Sequence, residues 1–109
     1  MPGKSLSPDQ LQHVAERFKA LSEPSRLEIL NALTGGERTV SEILETTGLG
    51  QANASRHLQV LHAAGFVARR KEGVNTFYRL ADRDVFRLCE LMCGRLEKEA
   101  DARSRLFTG

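Results

Sequence analysis

Apolar residues recur every three or four positions in the first third of the chain, and this spacing predicts two amphipathic helices. The first follows Ser7 and Pro8, which suit a helix cap and a first helical position. The second begins near Pro24 and ends at the Gly35-Gly36 pair. The apolar positions are Leu11, Val14, Ala15, Phe18 and Leu21 in the first helix, and Leu27, Leu30 and Leu33 in the second. The three leucines are expected to face the core.

Two shorter helices are predicted next. Thr39 and Glu42 have the spacing of a capping box, which starts a third helix that ends near Gly48. A fourth helix is predicted at about 50–64. Its inner face carries Ala54 and then apolar residues four, seven and ten positions later, which are Leu58, Leu61 and Ala64. Two short helices joined by the tight turn "TGLG" are typical of a helix-turn-helix.

The last third of the chain predicts a hairpin and a long helix. "FVARRK" and "VNTFYRL" are rich in β-branched and aromatic residues and flank "EG", so a two-stranded wing is expected at about 67–80. Asp82 then caps a terminal helix at about 82–103, with an apolar stripe that includes both cysteines. The predicted order is α-α-α-α-β-β-α, mostly helical with a small β-hairpin, which describes a winged helix-turn-helix.

Composition is consistent with one small domain and adds an uneven charge. The 109 residues, 40% hydrophobic and 28% charged, fit a single domain over residues 1–109. Five basic residues and one acidic residue between 51 and 80 give that segment a charge of +4, whereas the whole chain carries +2. A basic segment on an acidic body suits a surface that binds a polyanion, although a solvated charged face has the same composition.

No stretch of the sequence predicts a membrane segment. No apolar run approaches the roughly 20 residues that a membrane-spanning helix needs, and "MPGKSLSPDQ" lacks the apolar core of a signal peptide. A cytoplasmic protein with no membrane partner is therefore expected.

The fourth helix combines base-reading side chains with an apolar docking face. Gln51, Asn53, Ser55 and Arg56 lie in its first turns. Amides suit adenine edges, and arginine suits guanine or phosphate, so these residues are predicted to contact DNA in the major groove. His57 is either a further DNA contact or a side chain that forms a local hydrogen bond beside Leu58.

The wing supplies the second set of candidate DNA contacts. Arg69, Arg70 and Lys71 stand at the hairpin turn, where they can meet phosphates or enter a minor groove. Side chains alternate along a strand, so Arg69 and Arg70 cannot both face the same way. Asn75 and Tyr78 are weaker candidates on the second strand.

These phrases together resemble one known family. "FKALSEPSRLEILNAL", "SEILETTGLGQANASRHLQVLHAAGFVARRKEG" and "FYRL" are similar to the ArsR/SmtB family of winged-helix repressors, in the family's order. The resemblance implies a homodimer formed by the first and last helices. It also implies binding to a palindromic double-stranded DNA operator and repression of transcription until a small inducer releases the protein.

The sequence departs from the family's metal sites. The third helix has no "C-V-C" phrase, and no histidine follows Asp84, so neither the family's arsenite or cadmium site nor its zinc site is expected. Cys89 and Cys93 remain, four residues apart on one helical face. They could capture a thiophilic metal or metalloid such as arsenite, react with an oxidant or a reactive sulfur species, or simply pack as small apolar residues. No other cofactor is expected.

Other classes of function predict different features. No Gly-rich phosphate loop follows a strand, and the carboxylates form no paired arrangement, so an enzyme is not expected. The alternatives are a winged-helix protein-interaction module, which predicts salt-insensitive or absent DNA binding, and a DNA-binding regulator that responds to no effector.

Overall fold

Residues 5–108, which the computed structural model describes, form five helices and three short strands. In chain order these are α1 (Pro8–Leu21), α2 (Pro24–Ala32), β1 (Arg38–Thr39), α3 (Val40–Thr47), α4 (Gln51–Ala63), β2 (Val67–Glu72), β3 (Asn75–Leu80) and α5 (Asp84–Thr108). All seven predicted elements are present. The terminal helix runs five residues beyond the predicted end at 103.

Capping boxes start α1 and α3, as the sequence predicts. The Ser7 hydroxyl accepts a hydrogen bond from the Gln10 amide, and the Gln10 side chain accepts one from the Ser7 amide. Thr39 and Glu42 exchange the same pair of bonds at the start of α3. The hydrogen bonds that the Thr39 amide and hydroxyl donate to the Glu42 carboxylate lower the pKa of Glu42.

The wing belongs to a three-stranded antiparallel sheet in the order β1-β3-β2. The sequence does not predict β1, which is only two residues long. Arg69 pairs with Tyr78 and Arg70 pairs with Phe77, so the two arginines occupy opposite faces of the sheet, as expected. Gly73, with a φ of 60°, forms the turn between β2 and β3.

The core lies between α2, α3, α4 and the base of the wing. Its buried residues are Ile29, Leu30, Leu33, Ile43, Leu58, Leu61, Val67, Tyr78 and Val85. The inner face predicted for α4 is confirmed, because Ala54, Leu58 and Leu61 are completely buried. The inward position predicted for Leu27 is wrong. A helix turns about 100° per residue, and the buried face of α2 runs through Ile29, Leu30 and Leu33, which leaves Leu27 outside the edge of that face.

The apolar faces of α1 and α5 point away from this core. On α1, Leu11 and Phe18 are exposed, and the buried residue is Ala20 on the other side of the helix. Among the α5 side chains described, at 84–106, only Val85 is buried. Leu88, Leu91, Met92 and Leu96 are all exposed. Within residues 5–108, no helix is both long enough and apolar enough to cross a bilayer.

Candidate nucleic-acid interface

The first turns of α4 present polar side chains to solvent. Gly48, in the left-handed conformation with φ 73°, ends α3, and α4 begins three residues later at Gln51. Gln51, Asn53 and Arg56 are exposed, and Ser55 is half-buried. Arg56 Nη2 donates to Asn53 Oδ1 over 3.2 Å, which orients the guanidinium along the outer face of the helix. Both residues can thus meet a ligand from the same side.

His57 does not belong to this surface. Only 4% of the residue is exposed, and both ring nitrogens face side chains of α2 and its cap. A DNA contact requires an exposed edge, so the structure supports the local hydrogen bond and not the DNA contact.

The wing holds Arg70 in a network of carboxylates. Arg70 Nε donates to Glu37 Oε2 over 2.9 Å, Nη2 donates to Glu37 Oε1 over 2.7 Å, and Nη1 donates to Glu72. The guanidinium carbon also lies 4.3 Å from the centre of the Phe77 ring. These hydrogen bonds raise the pKa of Arg70 and lower that of Glu37. Arg69, Arg70 and Lys71 are all exposed, but the charge of Arg70 is balanced within the protein.

The two weaker candidates lie in different environments. Tyr78 is part of the buried core, so the predicted DNA contact does not fit the structure. Tyr78 and the half-buried Leu80 are two positions apart on β3 and therefore face the same side of the strand, which is the pattern in the sequence that indicates burial. Asn75 is exposed beside Val74, a fully exposed residue at the tip of the wing.

A polar groove joins the recognition helix to the wing. It has a volume of about 290 Å³ and lies between α3, α4 and the hairpin turn. Its polar lining consists of Thr39, Ser41, Gln51, Ser55, Asn75 and Thr76. Three of these, Gln51, Ser55 and Asn75, are predicted from the sequence. Thr39, Ser41 and Thr76 are not, because none of them stands in the fourth helix or the basic run.

Comparison with known proteins gives the family. The family described as "Bacterial regulatory protein, arsR family" matches residues 23–69. A Synechocystis protein named "Transcriptional repressor SmtB homolog" is 33% identical over 93 residues, which cover 85% of this chain and 70% of that protein. This chain belongs to the ArsR family. The resemblance found in the sequence is thereby confirmed.

Other known proteins are similar to this chain in sequence and in fold. The transcriptional regulator Rv0324 of Mycobacterium tuberculosis is 44% identical over 82 residues, and the match covers 75% of this chain and 36% of that longer protein. The crystal structure of M. tuberculosis Rv0081 superimposes with a TM-score of 0.77 at 34% identity, covering 90% of this chain and 98% of that one. A homodimeric winged helix-turn-helix DNA-binding domain from Mycobacterium bovis has a TM-score of 0.77 at 38% identity, and the match covers 94% of this chain and 95% of that one. The winged helix-turn-helix prediction is confirmed.

The two cysteines are free thiols on α5. Cys89 is half-buried and Cys93 is exposed. Among residues 5–108, no three His, Cys, Asp or Glu side chains gather in a group that could hold a metal ion.

The ion pairs of Arg70 lead to a first prediction about the wing. Lys71→Ala is expected to reduce the slope of log K against log salt by about 0.9 for each phosphate that Lys71 neutralises. Arg70→Ala is expected to weaken operator and nonspecific DNA alike, because it leaves the carboxylates of Glu37 and Glu72 on the wing without their counter-charge. The slope is expected to stay nearly unchanged, because Arg70 is already paired within the protein and neutralises no phosphate. Fluorescence anisotropy over a salt series measures both. An equal decrease of the slope in the two variants would mean that Arg70 exchanges Glu37 for a phosphate.

Proposed function

We propose that the protein is a homodimeric transcriptional repressor that binds a palindromic operator and is released by a thiol-directed effector at Cys89 and Cys93. The observation that carries the proposal is the arrangement of exposed faces. The polar start of α4 and the basic wing are open to a ligand, and the apolar stripes of α1 and α5 lie unpacked on the protomer.

The apolar stripes support a dimer of identical chains. A monomer in water rarely leaves a long row of large apolar side chains exposed, and a row on a helix can pair with its own copy about a two-fold axis. Phe18 of α1 and Leu88, Leu91 and Met92 of α5 line one shallow apolar depression, so both helices contribute to a single surface. The homodimeric M. bovis domain, whose fold this chain shares, supports the same assembly.

A two-fold dimer would determine the form of the DNA site. Two recognition helices about 34–36 Å apart fit successive major grooves on one side of the duplex, so the operator would be an imperfect palindrome. Gln51, Asn53 and Arg56 would contact base edges, with Ser55 and Asn75 beside them in the groove. Arg69 and Lys71 would contact phosphates.

The effector proposal rests on where the thiols lie. Cys89 and Cys93 are one helical turn apart on the face of α5 that carries Leu88, Met92 and Leu96. If that face is the seam of the dimer, four thiols meet there, and thiolates bind soft metals and arsenite or form disulfides and persulfides. A Streptomyces lividans relative named "Probable mercury resistance operon repressor", 38% identical over 68 residues, supports a thiophilic metal.

Release from DNA tests the proposal. We expect one effector among arsenite, cadmium, zinc, peroxide and polysulfide to weaken binding to the DNA upstream of the protein's own gene by about 5- to 150-fold, the usual range of coupling between two sites. The Cys89→Ser, Cys93→Ser double variant is expected to bind that DNA normally, with the same affinity whether or not the effector is present. If the double variant is still released, the thiols are packing residues. Salt-insensitive or absent binding by the unaltered protein would instead indicate a protein-interaction module.

A further inference from the structure

A polar cluster built around the buried His57 connects the recognition helix to α2. His57 of α4 accepts a hydrogen bond at Nδ1 from Arg26 Nε over 3.2 Å, and its Nε2 lies 3.2 Å from Glu23 Oε1. A ring nitrogen that accepts a hydrogen bond carries no hydrogen, so the neutral imidazole has its hydrogen on Nε2, facing the carboxylate. Arg26 Nη2 and Glu23 Oε2 are 3.3 Å apart, which closes the triangle. We call Glu23, Arg26 and His57 the inter-helix clamp.

The inter-helix clamp also reaches α1. Arg26 Nη1 donates to the carbonyl oxygens of Lys19 and Ala20, over 3.4 and 3.3 Å. These carbonyls lie in the last turn of α1, where a helix leaves backbone acceptors without an internal partner. One guanidinium on α2 therefore contacts α1 and α4 at once, and its side chain is 19% exposed.

Directional bonds constrain a helix differently from apolar packing. Leu58 and Leu61 fix how closely α4 approaches the core, but the hydrophobic effect that buries them has no preferred direction. Hydrogen bonds weaken steeply when their angle changes, and a buried group left without a partner is costly. His57 follows Arg56 directly in the sequence, so a rotation of α4 that strains the clamp also moves the base-reading edge.

We propose that Glu23, Arg26 and His57 are positioning residues that fix the orientation of α4 relative to α2 and to the last turn of α1. This rests on the proposed function for its biological meaning. The orientation itself can be measured without DNA, so the two ideas can fail separately.

Nitrogen-15 NMR of the unaltered protein tests the geometry first. The His57 ring is expected to show the Nε2–H tautomer at neutral pH. Detection of the Nδ1–H tautomer would overturn the proposal, because Arg26 Nε would then have no acceptor.

Substitution tests the consequence. His57→Phe keeps a ring of similar size without nitrogens, and it is expected to change the residual dipolar couplings of α4 amides relative to those of α2. It is also expected to weaken operator binding about tenfold, within the usual range of coupling between sites, with little change in nonspecific binding. His57→Asn, whose side-chain oxygen can accept from Arg26, is expected to recover part of both effects. His62→Phe, at an exposed position of the same helix, is the matched control.

A second variant keeps the test decisive if His57→Phe does not fold. Arg26→Lys retains the charge at a partly exposed site, but a single ammonium cannot donate to His57 and to both α1 carbonyls in the same geometry. It is expected to reproduce the change in α4 couplings. Unchanged couplings in a folded clamp variant, or His57→Asn no better than His57→Phe, would show that the cluster stabilises the fold without orienting α4. Failure of the unaltered protein to bind DNA would count against the proposed function alone.

Discussion

Phe18→Asp is expected to convert the protein to a monomer and to weaken operator binding by about 10²- to 10⁴-fold, the usual gain from linking two binding modules. Phe18 is 56% exposed on α1 and lies at the apolar depression shared with α5. In a dimer this side chain would be covered by the partner, and a carboxylate there would lose its hydration without gaining a counter-charge. Sedimentation velocity and anisotropy on the same samples measure both effects.

The expected effect is specific to the apolar face. Met92→Asp, on α5, is expected to act in the same way, because Met92 is 58% exposed on the same surface. Asn31→Asp introduces the same charge at an exposed position of α2 and is the matched control. A Phe18→Asp protein that remains dimeric and binds the operator normally would refute the proposed interface.

Arg56→Ala is expected to reduce discrimination between operator and unrelated DNA by about 1–3 kcal/mol for each half-site, the usual contribution of one two-pronged base contact. Asn53 holds the Arg56 guanidinium on the exposed edge of α4, so the side chain is already oriented before DNA arrives. The measurement is the ratio of operator to nonspecific affinity at one salt concentration.

Two comparisons make the Arg56 result interpretable. Lys71→Ala is expected to lower both affinities together and to leave their ratio nearly unchanged, because phosphates carry no sequence information. Arg103→Ala removes the same charge from an exposed position on α5 and controls for net charge. If Arg56→Ala also lowers both affinities equally, Arg56 contacts phosphate and base reading belongs to the neighbouring amides.

The sequence predicts best those features that depend on neighbours along the chain. Capping boxes join residues three positions apart, and the buried face of α4 follows from the spacing of Leu58 and Leu61. Both are local, so a short stretch of sequence is enough to predict them. The two-residue strand β1 has no periodicity of its own, and it exists because Arg38 and Thr39 pair with the distant β3.

The features of the candidate site that the sequence does not predict have the same physical origin. His57 accepts a hydrogen bond from Arg26, 31 residues away, and Arg70 is paired with Glu37, 33 residues away. A carboxylate that reaches across the fold leaves no local pattern, so a basic run in the sequence overstates the charge available to DNA. Counting leucines places Leu27 inward, whereas the buried face of α2 runs through Ile29.

The single buried residue described on α5 makes that helix a lever. With Val85 as the pivot and a rise of about 1.5 Å per residue, Cys93 lies about 12 Å along the arm and the helix end about 35 Å. A tilt of about 5° then moves the cysteine by about 1 Å and the end of the arm by about 3 Å. A tilt imposed at the dimer seam would therefore displace the end of α5 about three times as far as the thiols.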